Sequence, residues 1–399
     1  MIKAYKFCIK PTSEQKELLQ HQFDAARHIY NRSLALKSYA YKKFKLKLGL
    51  KELKGRLPNL RKRHHWLKQA DSQVLQQSVI NLDTAFKKFF TGLAKYPRFK
   101  SKRDRQSIQY PQRVVVNIED SKLQLPKIGW VDVILHREMT AGKIKTVTVS
   151  KTSTEKYFAS VLVDDGIAPA EKLKEIFADK LLGIDTGLTD VVYDSNAYHV
   201  TNPKHLRKHQ KKLTKLQRAL SRKTNKSSKR RAVARQKLAK AHEKLTNTRT
   251  DFLHKLSATL VGENQAIGVE TLQVKNLMQN RRLAKSFADS AISTLYDMLK
   301  YKIEHKGGYF VKVGKFYAST KICSKCGHKK DQMPLKQRVY VCENCGISIS
   351  RDYNAAINIK NEAINLLSAT GHVVVRRGDT VRPQVIVASA YEASRSLTL

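Results

Sequence analysis

Four cysteines and three carboxylates in this chain have the types and spacing that chemistry would need. Cys323, Cys326, Cys342 and Cys345 form the array Cys-x2-Cys-x15-Cys-x2-Cys. Each pair lets two thiolates from one tight turn face a single ion, and Gly327 and Gly346 follow directly to permit the turn. Four thiolates close the tetrahedral shell of one structural Zn²⁺, whereas a redox dithiol needs only one pair. The carboxylates are more widely spread. Leu181-Leu182-Gly183-Ile184-Asp185-Thr186-Gly187 ends an apolar strand on an acid, Gln265-Ala266-Ile267-Gly268-Val269-Glu270 repeats the pattern, and Asp352 opens the helix Arg351-Asp352-Tyr353-Asn354-Ala355-Ala356. Taken singly they have ordinary readings as a turn opener, a solvated glutamate and an N-cap. Brought into one core they would hold two Mg²⁺ or Mn²⁺ ions, one to activate water and one to stabilise a leaving 3′ oxygen. Glycines beside Asp185 would let a phosphate backbone approach. No serine or tyrosine recombinase arrangement offers a protein nucleophile instead.

Charge identifies the partner. Lys+Arg 77 against Asp+Glu 33 leaves +44 at pH 7, a field that favours polyanions and makes the compact chain repel itself. A basic membrane-surface protein is the competing class. It finds no support in an apolar run approaching ~18 residues, in a signal peptide ahead of Lys3 or in a lipidation motif. The expectation is a soluble, intracellular protein without a membrane partner. Its four paired cysteines are not a secreted disulfide framework, and the fifth, Cys8, reads as a small buried residue of a strand.

The elements that must position these groups follow from periodicity. Ile2–Lys10 alternates, with Tyr5, Phe7 and Ile9 on one side. Thr12 stands three residues before Gln15 as a capping box, and Leu18, Leu19, Phe23, Ala26 and Tyr30 then share a helix face. Residues 36–66 are basic, helical and solvent-rich in this reading. From Asp71 to Leu93, Leu75, Val79, Leu82, Phe86 and Phe89 form a core stripe, and Ser72, Gln73, Gln76, Gln77 and Asn81 form a polar face whose default is solvation. Short strands over residues 114–118, 122–125, 130–135, 145–150 and 157–163, with Ile2–Lys10, suggest a small barrel carrying the helices as an insertion. Residues 167–174 read as a linker and 191–200 as a hairpin. Between Lys204 and Arg249 eighteen Lys/Arg face a single acid, Glu243. A solvated helix mixes signs, so one-signed charge points to a phosphate backbone. Helices over residues 203–260 and 291–305 flank the Glu270 strand, and 309–313 returns to strand.

In their order, Gly-Ile-Asp-x-Gly, the strand-terminal Glu270, the paired Cys-x-x-Cys motifs and Arg-Asp-x-Asn-Ala-Ala resemble the TnpB family of RNA-guided endonucleases of insertion sequences, relatives of the type V CRISPR effectors. Tyr96-Pro97-Arg98-Phe99-Lys100 matches a further signature of that family. The resemblance covers nearly the whole chain. It implies a multidomain α/β protein: an RNase H-like (RuvC) nuclease core (178–318 and 347–368) with an inserted zinc ribbon that binds target nucleic acid (319–346). An N-terminal wedge β-barrel (1–11 and 105–170) would carry a helical recognition domain (12–104), and 369–399 would be a disordered tail holding Arg376, Arg377 and Arg382. Asp185, Glu270 and Asp352 match the catalytic carboxylates. Ser72 and Gln76 fall where the family reads a short DNA motif, and the segment with Asn276, Asn280, Arg281, Arg282 and Lys285 resembles one lying over the cleft. Nucleic-acid contacts are expected from Ser72, Gln76, Lys208, Lys212, Arg218, Arg222, Lys229, Arg230, Arg231 and Arg282. The implied activity is metal-dependent cleavage of double-stranded DNA beside a flanking motif, by a monomeric ribonucleoprotein with guide RNA from the transposon end, in a prokaryotic cytoplasm in association with the nucleoid. One departure is visible, since Ser350 stands where the family commonly has the first Asp of His-Asp-Arg-Asp. An RNase H-fold transposase performing strand transfer and a nuclease-inactive RNA-guided repressor are the alternatives.

Overall fold

The computed structural model describes residues 1–225, 227–272, 279, 284, 286, 290–334 and 336–375. By backbone contacts the chain divides into two compact units, Met1–Ala168 with Asn225–Lys240, and Pro169–Thr224 with the chain from Ala241 on.

The first unit opens on β1 (Ile2–Lys10) and four helices, α1 (Ser13–Phe44), α2 (Leu50–Gly55), α3 (Leu57–Arg63) and α4 (Ser72–Phe90). Thr12 and Gln15 form the capping box that the sequence suggests. Asp71 caps α4 by accepting from the Gln73 and Val74 backbone N–H groups. Six strands follow: β2 (Gln106–Tyr110), β3 (Val115–Asn117), β4 (Lys122–Leu125), β5 (Gly129–Ile134), β6 (Lys143–Lys151) and β7 (Tyr157–Asp164). They join β1 in a seven-stranded sheet of order β2-β6-β7-β1-β5-β4-β3. All its ladders are antiparallel. Among the described residues the ladder has two edges, β2 and β3, so its hydrogen bonding does not itself close a barrel. Strand β2 was not anticipated, because Gln-Ser-Ile-Gln-Tyr carries only two apolar residues.

Tyr5, Phe7 and Ile9 enter one core with Leu19, Phe23 and Ala26 of α1 and Val74 of α4. Leu18, expected on that face, is 45% exposed. Residues 36–66 are less solvated than their charge suggests. Leu48, Leu53 and Leu57 bury against Ala25, Ile29, Leu75 and Val79 in a second core, because the widely spaced leucines meet only when α2 and α3 fold back on α1 and α4. Cys8 is half-buried rather than fully buried.

The second unit contains β8 (Glu175–Phe177), β9 (Leu181–Asp185), β10 (Asp190–Asp194), β11 (His199–Thr201), α5 (His205–Ser221) and α6 (Lys229–Val261), which runs on from the first unit's share of the chain. It continues with β12 (Ala266–Glu270), α7 (Ile292–His305), β13 (Tyr309–Val313), the hairpin β14 (Val339–Val341) and β15 (Ser348–Ser350), α8 (Arg351–Ala369) and β16 (Val373–Val375). Its main sheet has the order β11-β10-β9-β12-β13. Strands β9, β12 and β13 are parallel and β10 is antiparallel to β9. Leu182, Ile184, Ile267 and Val269 pack on one face with Leu256 and Leu260 of α6 and Ile292, Leu295, Leu299 and Ile303 of α7. Val373–Val375, assigned from sequence to a disordered tail, pairs in parallel with Glu175–Phe177, because three successive valines suit a strand once an edge is available.

Candidate catalytic centre and cysteine cluster

Register brings the first two carboxylates together. β9 and β12 pair in parallel from Leu181↔Ala266 to Ile184↔Val269, so Asp185 and Glu270 end neighbouring strands at the same level. Alternation then sets their direction. Leu181 and Ala266 lie against Ala363, Ile364 and Leu367 of α8, and Asp185 and Glu270 share that face, opposite the one covered by α6 and α7. The third carboxylate arrives with α8. A Cβ on Gly183 would collide with Ala356 O and Lys360 N, and one on Gly268 would lie 2.7 Å from Ala363 Cβ. The two glycines therefore let α8 lie close on the sheet, with Asp352 in its first turn. Gly183 accordingly makes room for a helix, where the sequence suggested room for phosphate.

Asp185 and Glu270 are half-buried at the strand ends. Burial pushes Asp185 up to about 8, and the charges of Glu270 and Asp352 push the same way against the Thr186 backbone N–H and Arg351. Burial also raises Glu270, opposed by the hydroxyl of Ser319. Like charges partly withdrawn from water disfavour ionisation unless a cation joins them. Asp352 is turned toward arginines. Arg351 Nε and Nη2 donate to its Oδ1 at 3.2 and 3.1 Å, and Arg338 Nη1 lies 3.5 Å from Oδ2.

A pH dependence follows. Asp185 ordinarily titrates near 3.8 and in the fold near 8, so the folded state binds a proton that the unfolded state has lost. Its contribution to stability is complete below the ordinary value and disappears as pH rises through about 8. Without divalent cation, the wild-type protein should lose more Tm between pH 6 and pH 8.5 than Asp185→Asn does. Parallel Tm curves from calorimetry would remove the raised carboxylate.

The cysteines make a second centre, and the sequence reading of them fits the geometry. All four sulfurs lie within 4.8 Å of one another, with Cys323–Cys345 and Cys326–Cys342 Sγ pairs at 3.6 Å. A tetrahedral zinc with bonds of ~2.3 Å sets its sulfurs about 3.8 Å apart. Each pair sits in a matching turn, closed by Gly327 N–H to Cys323 O and Gly346 N–H to Cys342 O at 2.9 and 3.0 Å. Both glycines need positive φ, +75° and +69°. Backbone N–H groups lower two thiols, Cys326 to about 6 through His328 and Cys342 through Cys345, while at Cys345 the Ile347 backbone N–H is outweighed by burial and the neighbouring cysteine sulfurs, which push it up to about 12.

Comparison with known proteins decides the family. A protein of Streptomyces pristinaespiralis named "Putative RNA-guided DNA endonuclease" is 36% identical over 387 residues, 96% of this chain and 92% of that protein. This chain belongs to the TnpB family. "Putative RNA-guided DNA endonuclease InsQ" of Escherichia coli K12 is 29% identical over 96% of the chain and 95% of its own length. Family profiles match residues 169–281 (OrfB_IS605, "Probable transposase"), 293–359 (Cas12f1-like, TNB domain) and 1–45 (a helix-turn-helix domain of OrfB_IS605). The last segment folds here as strand β1 and the single helix α1. Among solved structures, the chain of a Cas12f1-sgRNA-target DNA complex superposes with a TM-score of 0.55 at 16% identity, over 90% of this chain and 99% of that one. What the two chains share is the Cas12f1 fold.

The remaining candidate residues of this TnpB-family chain fall on α4 and the start of α6 in the first unit and on α5 in the second. Ser72 and Gln76 are exposed on the first turns of α4 and line a cleft with Lys54, Arg61, Lys62 and Lys68. Along α5 and its C-cap, Arg218 and Arg222 share one face with Arg207, Lys211 and Lys215. That stripe steps by four, four, three and four, a helical period that sequence counting alone passed over. Lys208 and Lys212 are exposed beside it, Lys229 and Arg230 are exposed on α6, and Arg231 there is half-buried. Arg282 lies outside the described residues, as do Asn276, Asn280, Arg281, Lys285, Arg376, Arg377 and Arg382. Sequence reasoning also missed Ser319, which touches Glu270, and Asn354 and Asn358, buried on the helix that carries Asp352. The spacing of the two asparagines by four on an alanine-rich helix was the available signal.

Proposed function

We propose that this protein is an RNA-guided DNA endonuclease of a transposable element, cutting DNA at a metal-dependent RuvC-type centre made of Asp185, Glu270 and Asp352. The observation that carries the reading is the meeting of Asp185 and Glu270 on neighbouring parallel strands, beneath the helix that brings Asp352. Full-length likeness to relatives named for this activity supports it.

Two Mg²⁺ or Mn²⁺ ions held there would supply Lewis acidity, an activated water and charge for the leaving oxygen. Asp185 and Glu270 would ligate from the strand ends. Asp352 would join them by exchanging Arg351 and Arg338 for metal, which frees two guanidiniums beside the scissile phosphate. Guide RNA and the target heteroduplex would lie along the stripe of Arg207, Lys211, Lys215, Arg218 and Arg222, with Lys208 and Lys212 adding phosphate contacts, and Lys229, Arg230 and Arg231 would bind phosphates from the first unit. Ser72 and Gln76 would read base edges of the flanking motif, and Lys54, Arg61 and Lys62 would hold its backbone. In this reading residues 1–11 and 105–170 are the wedge barrel, 12–104 the recognition domain, 178–318 and 347–368 the nuclease core, and 319–346 a zinc ribbon. The ribonucleoprotein would be a monomer working in the cytoplasm at the nucleoid. Among the described residues no helix is long and apolar enough to cross a membrane.

Expressed with its guide, the protein should cut only DNA that matches the guide beside the flanking motif, because its few polar readers cannot specify a longer site. Affinity for guide should fall steeply with salt as phosphate contacts release counterions. Guide-free protein cutting arbitrary duplex at an equal rate would overturn the reading. The match of residues 169–281 to a family described as a probable transposase favours a second one, transposition by strand transfer. Covalently joined strands in place of cleaved ends would establish it.

A further inference from the structure

The segment that enters the cysteine cluster is fastened to the carboxylate centre on both sides. Ser319, 3% exposed, donates its hydroxyl to Glu270 Oε1. Its own carbonyl accepts from Asn358 Nδ2 at 2.7 Å. Asn358 Nδ2 also reaches Ile322 O at 2.7 Å, and Asn354 Nδ2 reaches the same oxygen at 2.7 Å while its Oδ1 accepts from the Ser324 backbone N–H at 2.9 Å. Asn354 and Asn358 are 0% and 2% exposed, and a carboxamide that deep is costly unless its hydrogen bonds are made. Theirs end on residues 319–324, directly ahead of and just beyond Cys323. The far side of the cluster is tied to the same helix. Arg351 N–H donates to Arg338 O at 2.8 Å, and Arg351 Nη1 to Gln337 O at 3.1 Å.

A glutamate at a strand end has three side-chain torsions to fix, and its backbone register does not fix them. Ser319 supplies the missing constraint on Glu270. Asn358 of α8, the helix that carries Asp352, holds the carbonyl of that serine, and Asn354 holds Ile322 and Ser324 just beyond it. We propose that Ser319 is a positioning residue for Glu270, and that through it the folded cysteine cluster sets the affinity of the carboxylate centre for its divalent cation. This rests on the reading of Asp185, Glu270 and Asp352 as a cation site. It adds that the cluster organises the site as well as the module it closes.

The test uses the full-length ribonucleoprotein, with Mn²⁺ binding followed by electron paramagnetic resonance, Asp185→Ala as the blank for RNA-bound ions, and zinc counted by mass spectrometry. Ser319→Ala should keep its zinc and bind Mn²⁺ about 10–100-fold more weakly, the usual cost of losing a group that orients a ligand. Ser319→Thr, which keeps the hydroxyl, should bind as the wild type does. If Ser319→Ala loses zinc or its cooperative melt, Ser319→Cys is measured in its place, with similar volume and a poorer donor. Unchanged Mn²⁺ affinity in the hydroxyl-deficient variant, or equal weakening in Ser319→Thr, would overturn the inference alone. A wild type that binds no more Mn²⁺ than Asp185→Ala would overturn the cation site and this inference with it.

Discussion

Asp185→Ala and Glu270→Ala should each reduce DNA cleavage by about a thousandfold or more, since a metal's transition-state stabilisation is worth several kcal/mol and every 1.36 is tenfold. Binding of guide RNA and target should change little, because both residues lie at the sheet end, apart from the basic stripe on α5. Removing Asp185 also relieves a like-charge pair, so Asp185→Ala should melt no lower than the wild type in metal-free buffer at pH 8. Asp352→Ala should abolish cleavage as well, but for stability it has a different expected sign, because it leaves Arg351 without the carboxylate that faces it. Single-turnover cleavage with saturating guide and target is the measurement. A variant that still cuts at the wild-type rate removes its residue from the centre.

Cys326→Ser should eliminate the one zinc per chain and open residues 320–347 to proteolysis. Within the module itself the described residues offer little else to hold it than two short strands, a small cluster around Tyr340 and two turns whose sulfurs converge. For such modules metal binding is the folding free energy, apparent values running to ~10–16 kcal/mol at neutral pH. Because residues 319–324 brace Glu270, loss of zinc should also reduce cleavage even where target binding is restored by raised concentration. Zinc-free protein with an intact, protease-resistant module would refute the structural metal.

Several parts of this protein are determined by the sequence alone. Strand Ile2–Lys10, the Thr12 cap, the stripe on α4, strand Tyr309–Val313 and the hairpin after β9 are local periodicities, and local periodicity survives in a linear reading because each residue's partner is two to four positions away. The cysteine array is legible for the same reason, each pair lying within one turn. The carboxylates were visible as candidates only, since strand-ending acids have ordinary roles. Tertiary structure decided the rest. The register of β9 with β12 puts Asp185 level with Glu270, and Gly183 and Gly268 admit α8, two facts that depend on pairings across scores of residues. The leucines of residues 48–57 are too sparse to announce a core until two helices enclose them. Ser319, Asn354 and Asn358 read as unremarkable polar residues in the chain. They become the scaffold of Glu270 only when burial removes water and leaves each of them one set of partners.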